Sequence, residues 1–129
     1  MSKKILIADD EPSIVTAVEF LLRRGGYEVQ VARDGEQTLE LVEGFNPDLV
    51  LLDVMMPRKS GYEVCTRIRE RTDRRHVKII MLTAKGRDAE VSKGLAMGAD
   101  LYITKPFSTR ELMAKIRELV GPGREAGPG

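Results

Sequence analysis

The chain has 129 residues, 42% of them apolar and 32% charged, with a formal net charge of +1, the balance of one globular domain. That charge supplies no basic field for general nucleic-acid binding, and no apolar run is long enough to span a bilayer. A single cysteine, Cys65, excludes an internal disulfide and suits a reducing compartment. The apolar stretch Ile5-Leu6-Ile7-Ala8 is too short for a signal-peptide core and runs straight into acidic residues, so a cytoplasmic location is expected.

Short apolar runs alternate with amphipathic segments along the chain. Lys4 to Ala8 reads as a buried strand. Pro12 to Arg24 reads as a helix, with Pro12 in its first turn, Gly25-Gly26 past its end, and Ile14, Val15, Val18, Leu21 and Leu22 at helical spacing. Tyr27 to Ala32 alternates as a second strand, and Gly35 to Phe45 forms a second helix that Asn46-Pro47 ends. Leu49-Val50-Leu51-Leu52 is a continuous apolar run, the pattern of a central parallel strand covered on both faces. A loop containing Pro57 leads to a third helix over Gly61 to Arg69. A fourth strand spans Val77 to Leu82, and a fourth helix Asp88 to Met97 is closed by Gly98. A fifth strand spans Asp100 to Thr104. Ser108, with Glu111 three residues on, is a capping-box candidate for a last helix running to about Val120. Residues 1–120 therefore read as one domain. Residues 121–129 contain no large apolar side chain and read as a flexible tail or linker. Five strand–helix units predict an α/β fold, with a parallel sheet and helices on both faces.

The chemistry gathers at the strand ends. Strand one ends in Asp9-Asp10, strand three in Asp53, strand four in Thr83 and strand five in Lys105. Ligands of open α/β sheets bind beyond these ends, and a strand order of 2-1-3-4-5, one of the common orders of doubly wound sheets, sets strands one and three side by side. Three converging carboxylates repel, by about 4 kcal/mol for a pair about 4 Å apart at an effective dielectric of about 20. A hard cation relieves this, and carboxylates with waters and a phosphate oxygen suit Mg²⁺. Lys105 adds a second positive charge and Thr83 a hydroxyl donor, which together with a carboxylate nucleophile make the parts of a phosphoryl-transfer site. Each residue alone has a plainer reading. Asp9-Asp10 suits a helix start, Asp53 a turn, Thr83 a strand end, Lys105 a solvated charge and Tyr102 packing. Cys65 reads as a small buried apolar residue, His76 as a loop residue without a metal-ligand partner, and the run of arginines from Arg67 to Arg75 as a solvated helix end.

The segments Ile-Leu-Ile-Ala-Asp9-Asp10-Glu11-Pro12, Pro-Asp-Leu-Val-Leu-Leu-Asp53-Val-Met-Met-Pro57 with Gly61, Met-Leu-Thr83-Ala84, and Gly98-Ala-Asp100-Leu-Tyr102-Ile-Thr-Lys105-Pro106-Phe107 together resemble the receiver domains of bacterial response regulators. The resemblance covers about Lys3 to Val120. It implies a flavodoxin-like (βα)5 sandwich in which Asp53 accepts a phosphoryl group from a sensor histidine kinase or phosphotransfer protein. It further implies that Asp10, Asp53 and the Met55 carbonyl ligate Mg²⁺, with Mn²⁺ as a substitute, and that Asp9 holds the metal through water. Lys105 and Thr83 would contact the phosphoryl group, and Tyr102 would swing inward with Thr83. The Lys105-Pro106 bond is expected to be cis, and Met55 and Lys85 occupy positions that tune dephosphorylation. Such a domain is a switch and not an enzyme with a downstream substrate. Its output face, formed by the fourth helix, fifth strand and last helix, would engage a partner or a second copy. Asp100, Glu111 and Lys115 keep charges expected of a dimer there, whereas Val91, Leu101 and Pro122 do not. The domain itself should contact neither nucleic acid nor membrane.

Two other functions fit the architecture less well. An aspartyl phosphohydrolase would carry its nucleophile at the end of strand one, with a second Asp two residues on, where this chain has adjacent Asp9-Asp10. A flavin-binding module would need a Gly- and hydroxyl-rich loop at that place, and Asp9-Asp10-Glu11 would repel its phosphate.

Overall fold

A computed structural model describes residues 2–71, 73, 76–84 and 98–123. The predicted fourth helix, Lys85, Val91, Arg74, Arg75 and residues 124–129 lie outside these. The described elements are β1 (Lys4–Ala8), α1 (Pro12–Arg24), β2 (Glu28–Ala32), α2 (Gly35–Phe45), β3 (Leu49–Asp53), α3 (Gly61–Glu70), β4 (Lys78–Ala84), β5 (Leu101–Lys105) and a C-terminal helix (Thr109–Val120). All strand pairs are parallel, in the order β2-β1-β3-β4-β5. Among the described residues no helix is long and apolar enough to cross a membrane.

Alternation along the strands divides the core into two layers. Ile5, Ile7, Leu49, Leu51, Ile80, Leu82 and Ile103 face α1 and the C-terminal helix, packing on Val15, Val18, Leu22, Leu112 and Ile116. Leu6, Ala8, Val50, Leu52, Ile79 and Met81 face α2 and α3, packing on Val42, Tyr62, Val64, Cys65 and Ile68. β3 is buried at every position, as its unbroken apolar run requires of a strand covered on both sides. Cys65 is fully buried and burial pushes its thiol up to about 11, so it is an inert core residue.

Several ends are set by local chemistry. Asp34 caps α2, its carboxylate accepting from the Gln37 N–H at 2.8 Å, while Gln37 accepts from the Arg33 N–H at 2.8 Å. Asp34→Ala is expected to cost about 1 kcal/mol in urea unfolding; an unchanged midpoint would mean the cap is replaced by water. Ser60 and Ser108 cap α3 and the C-terminal helix in the same way.

Several strand boundaries differ from the sequence reading, and β4 and β5 each begin one residue later, at Lys78 and Leu101. β2 begins at Glu28, because Tyr27 is occupied in closing α1, its N–H bonded to the Leu22 carbonyl. β4 runs on to Ala84 and β5 to Lys105, since Thr83 pairs with Thr104 and Ala84 with Lys105. The arginine run also differs from a uniformly solvated helix end. Arg69 is largely buried and ties α3 to the segments leading into β4 and β5, donating to the carbonyls of Gly98 at 2.8 Å and Val77 at 2.6 Å and to Asp100 at 2.8 Å. Asp100 in turn accepts from the Ile79 N–H at 2.8 Å. Beyond the C-terminal helix, Gly121 to Gly123 fold back over the turn between α1 and β2. The Tyr27 hydroxyl donates to the Gly121 carbonyl at 2.7 Å and the Lys3 N–H to the Gly123 carbonyl at 2.9 Å.

Candidate functional site: an acidic pole beyond β1 and β3

Because β1 and β3 are parallel neighbours, the residues at and just past their carboxyl ends lie side by side. Asp9, Asp10 and Asp53 each place a carboxylate oxygen there, all within 4.8 Å of one another. Asp9 is fully buried, Asp53 is 7% exposed and Asp10 is exposed. Asp9 is held by the backbone, accepting from the Glu11 N–H at 2.9 Å, and Asp53 accepts from the Met55 N–H at 3.1 Å. α1 has no side-chain cap at Glu11. Asp9 is thus fixed in the interior of the site, beyond what a helix start asks of it.

Lys105 arrives from the end of β5. Its Nζ lies 3.0 Å from Asp9, 3.4 Å from Asp53 and 3.7 Å from Glu11, so it bridges the two buried carboxylates. Burial works against the ammonium. The Asp9 hydrogen bond and the charges of Asp53, Asp9 and Glu11 outweigh it and hold the Lys105 pKa above its ordinary value. The Lys105-Pro106 bond is cis. Thr83, 2% exposed, follows Leu82, the residue opposite Asp53 in the sheet register.

Asp53 carries the strain of this arrangement. Burial, then the neighbouring charge of Asp9, raises its pKa from 3.8 to about 6, with the Met55 N–H and Lys105 opposing. One ammonium does not balance the carboxylates gathered here. An oxygen-only donor set on a rigid frame, short of positive charge, fits a hard divalent cation such as Mg²⁺.

The loop from β3 to α3 is held tightly. The Gly61 N–H donates to the Val54 carbonyl at 3.0 Å and the Gly35 N–H to the Pro57 carbonyl at 3.3 Å. A Cβ on Gly61 would lie 2.4 Å from the Asp53 carbonyl oxygen, and one on Gly35 would lie 2.3 Å from that of Lys59. Met55, on this loop, is 60% exposed.

The structure therefore brings Asp9, Asp10, Asp53 and Lys105 together, with Met55 and Thr83 adjoining in sequence and register. Tyr102 stands apart, half-buried against the α3 side of the sheet. Glu11, as a third partner of Lys105, and Arg69, as a clamp, were missed in the sequence. Arg69 had a usable signal, since Tyr62, Cys65 and Arg69 share one face of α3 at helical spacing.

A doubly covered parallel sheet of this order with an acidic pole defines a class of signalling receivers. A family model described as the response regulator receiver domain matches residues 5–117, and the chain belongs to that family. It is 45% identical over 128 residues to the alkaline phosphatase synthesis transcriptional regulatory protein PhoP of Bacillus subtilis, covering 99% of this chain and 52% of that protein. The chain thus spans about half the length of that relative. Among solved structures, it is similar to the chemotaxis response regulator CheY4 of Vibrio cholerae at 30% identity and TM-score 0.86, covering 93% of this chain and 100% of the other. It is also similar to a CheY-like receiver domain protein of Methanospirillum hungatei at 33% identity and TM-score 0.85, covering 92% and 93%. As a response-regulator receiver domain, the protein is a signalling switch of two-component systems.

Proposed function

We propose that Asp53 is the phosphoryl acceptor of this receiver. The observation that carries this is the cluster of Asp9, Asp10 and Asp53 within 4.8 Å, bridged by Lys105. Asp53 ends a rigid, fully covered strand, and its carboxylate attacks the phosphorus of a phosphohistidine on a sensor kinase or phosphotransfer protein. An O–P bond forms and the P–N bond breaks, and the imidazole leaves with the electron pair and takes up a proton. Asp10, Asp53 and the Met55 carbonyl would hold Mg²⁺ or Mn²⁺, with Asp9 acting through water. When bound, the ion neutralises charge on the phosphoryl oxygens. Lys105 faces the same oxygens, and the Thr83 hydroxyl donates to one of them. Asp9 keeps the Lys105 ammonium placed by their 3.0 Å contact.

In this reading Thr83 and Tyr102 shift inward together when Asp53 is modified, which biases the face formed by the fourth predicted helix, β5 and the C-terminal helix. That face takes a protein partner or a second copy of the chain, and residues 1–120 form the switch in a cytoplasmic setting. Nucleic-acid contact would belong to a further domain. Intact-mass measurement with acetyl phosphate and Mg²⁺ is expected to show one added phosphoryl group, absent when EDTA replaces Mg²⁺ from the start and absent in Asp53→Ala. Full labelling of Asp53→Ala would move the acceptor elsewhere.

A further inference from the structure

The phenolic oxygens of Tyr62 and Tyr102 lie 3.2 Å apart, hydrogen-bonded to each other. Tyr62 is buried in the first turn of α3, directly after Gly61, whose N–H is fixed to the Val54 carbonyl next to Asp53. Tyr102 lies on the edge strand β5, opposite Met81, with its ring against the same α2–α3-side layer of the core. The bond therefore spans from the sheet edge to the start of the helix that follows the proposed acceptor loop. A phenol is both donor and acceptor, and a buried tyrosine hydroxyl normally takes a partner. Here each ring supplies the other's partner, and nothing in the link requires a phosphoryl group.

We infer that Tyr62 is a positioning residue of the switch, acting through Tyr102. Its hydroxyl favours the inward position of Tyr102 in the unmodified chain, so part of the resting population already occupies the arrangement that phosphorylation completes. This rests on the reading of Tyr102 as the switch given above. A neutral hydrogen bond between side chains changes such an equilibrium by about fivefold. Tyr62→Phe removes the hydroxyl and keeps the ring in its core layer. It should lower the inward population of Tyr102 and raise the midpoint of a titration with a phosphoryl mimic by up to that factor.

The test uses the full chain labelled with 3-fluorotyrosine. The chain has three tyrosines, and their ¹⁹F signals are assigned by single Tyr→Phe changes. Tyr27, bonded to Gly121 at the far end of the sheet, serves as the internal reporter of folding. Tyr62→Phe is expected to move the Tyr102 signal in the unmodified protein and leave Tyr27 in place. Beryllofluoride with Mg²⁺ is expected to bring Tyr102 back, with a midpoint higher than in the parent chain by up to about fivefold. If beryllofluoride moves Tyr102 in the parent and Tyr62→Phe responds identically, the Tyr62 inference falls and the switch stands. If beryllofluoride moves Tyr102 in neither protein, the switch reading falls and takes the inference with it. A Tyr62→Phe change that also displaces Tyr27 reflects general loosening and counts against a positioning role.

Discussion

Asp53→Asn is expected to melt well above the parent protein at pH 7.5 in the presence of EDTA. Asn matches the shape of the side chain and still accepts the Met55 N–H bond, while Lys105 keeps Asp9 at 3.0 Å. What disappears is a buried negative charge beside that of Asp9. The rise of the Asp53 pKa from 3.8 to about 6 means that ionised Asp53 opposes folding by up to about 3 kcal/mol, at about 1.4 kcal/mol per pH unit. A gain of that size raises the melting temperature by roughly 10 °C for a domain of this length. The pH dependence has a definite sign. Above about pH 6 Asp53 is ionised in both native and unfolded chains and the penalty is complete. Between about 6 and 3.8 the native state binds a proton that the unfolded state does not, so the parent protein gains stability as pH falls. Below 3.8 the penalty is gone. The advantage of Asp53→Asn should therefore shrink steadily as the melts are taken from pH 7.5 to pH 4. Added Mg²⁺ should also shrink it, by stabilising the parent alone. Equal melting temperatures at pH 7.5 without metal would show that Asp53 is not strained.

Gly61→Ala should be strongly damaging for a single-methyl change near the site. Its Cβ would fall 2.4 Å from the Asp53 carbonyl oxygen and 2.9 Å from the Val54 Cα. Both are backbone atoms at the end of the sheet, so neither a rotamer change nor a flexible side chain can absorb the overlap. Either α3 moves off the sheet or the end of β3 is displaced, at a cost of about 3 kcal/mol. Displacement reaches Met55 and Asp53 directly, so Mg²⁺ affinity should fall with stability. Gly44→Ala is the matched control. Gly44 lies in α2 with no neighbour within 4 Å of its added Cβ, so the change should stabilise by about 0.5–1 kcal/mol through helix propensity. Urea unfolding of the two variants side by side would reveal opposite signs; a Gly61→Ala midpoint equal to the parent's would mean that α3 can lift from β3 without cost.

The sequence made the acidic pole legible for a physical reason. In a parallel sheet every strand delivers its last residue to the same edge, so finding the ends of the apolar runs locates Asp9, Asp10, Asp53, Thr83 and Lys105 together. The central strand was equally readable, since Leu49 to Leu52 has no polar face to expose. Pairings between distant elements were less accessible. That β4 continues through Ala84 depends on β5 lying beside it, and Met-Leu-Thr-Ala carries no alternation to announce this. Arg69 reads as one more surface arginine until the carbonyls of Gly98 and Val77 and the carboxylate of Asp100 close around it. Tyr62 and Tyr102 are separated by 40 positions, and only their packing in the same core layer brings their hydroxyls together. Gly35 and Gly61 look like ordinary helix-start glycines, and their close approach to the loop between β3 and α3 emerges only in three dimensions.

The fold-back of Gly121 to Gly123 has an architectural consequence. With Gly123 bonded to Lys3 and seated on Gly25 and Gly26, where a Cβ would meet the Gly25 carbonyl oxygen at 2.5 Å, the two sides of the domain's chain path meet at one corner. That corner is at the start of β1, the whole length of the sheet away from Asp53. Fluorescent or affinity cargo fused at either side would hang from the same place and leave the acidic pole open to a phosphodonor. The two sides could also be spliced by a short loop and the chain reopened at another surface turn, giving a permuted receiver in which the order of the elements changes and their neighbours do not.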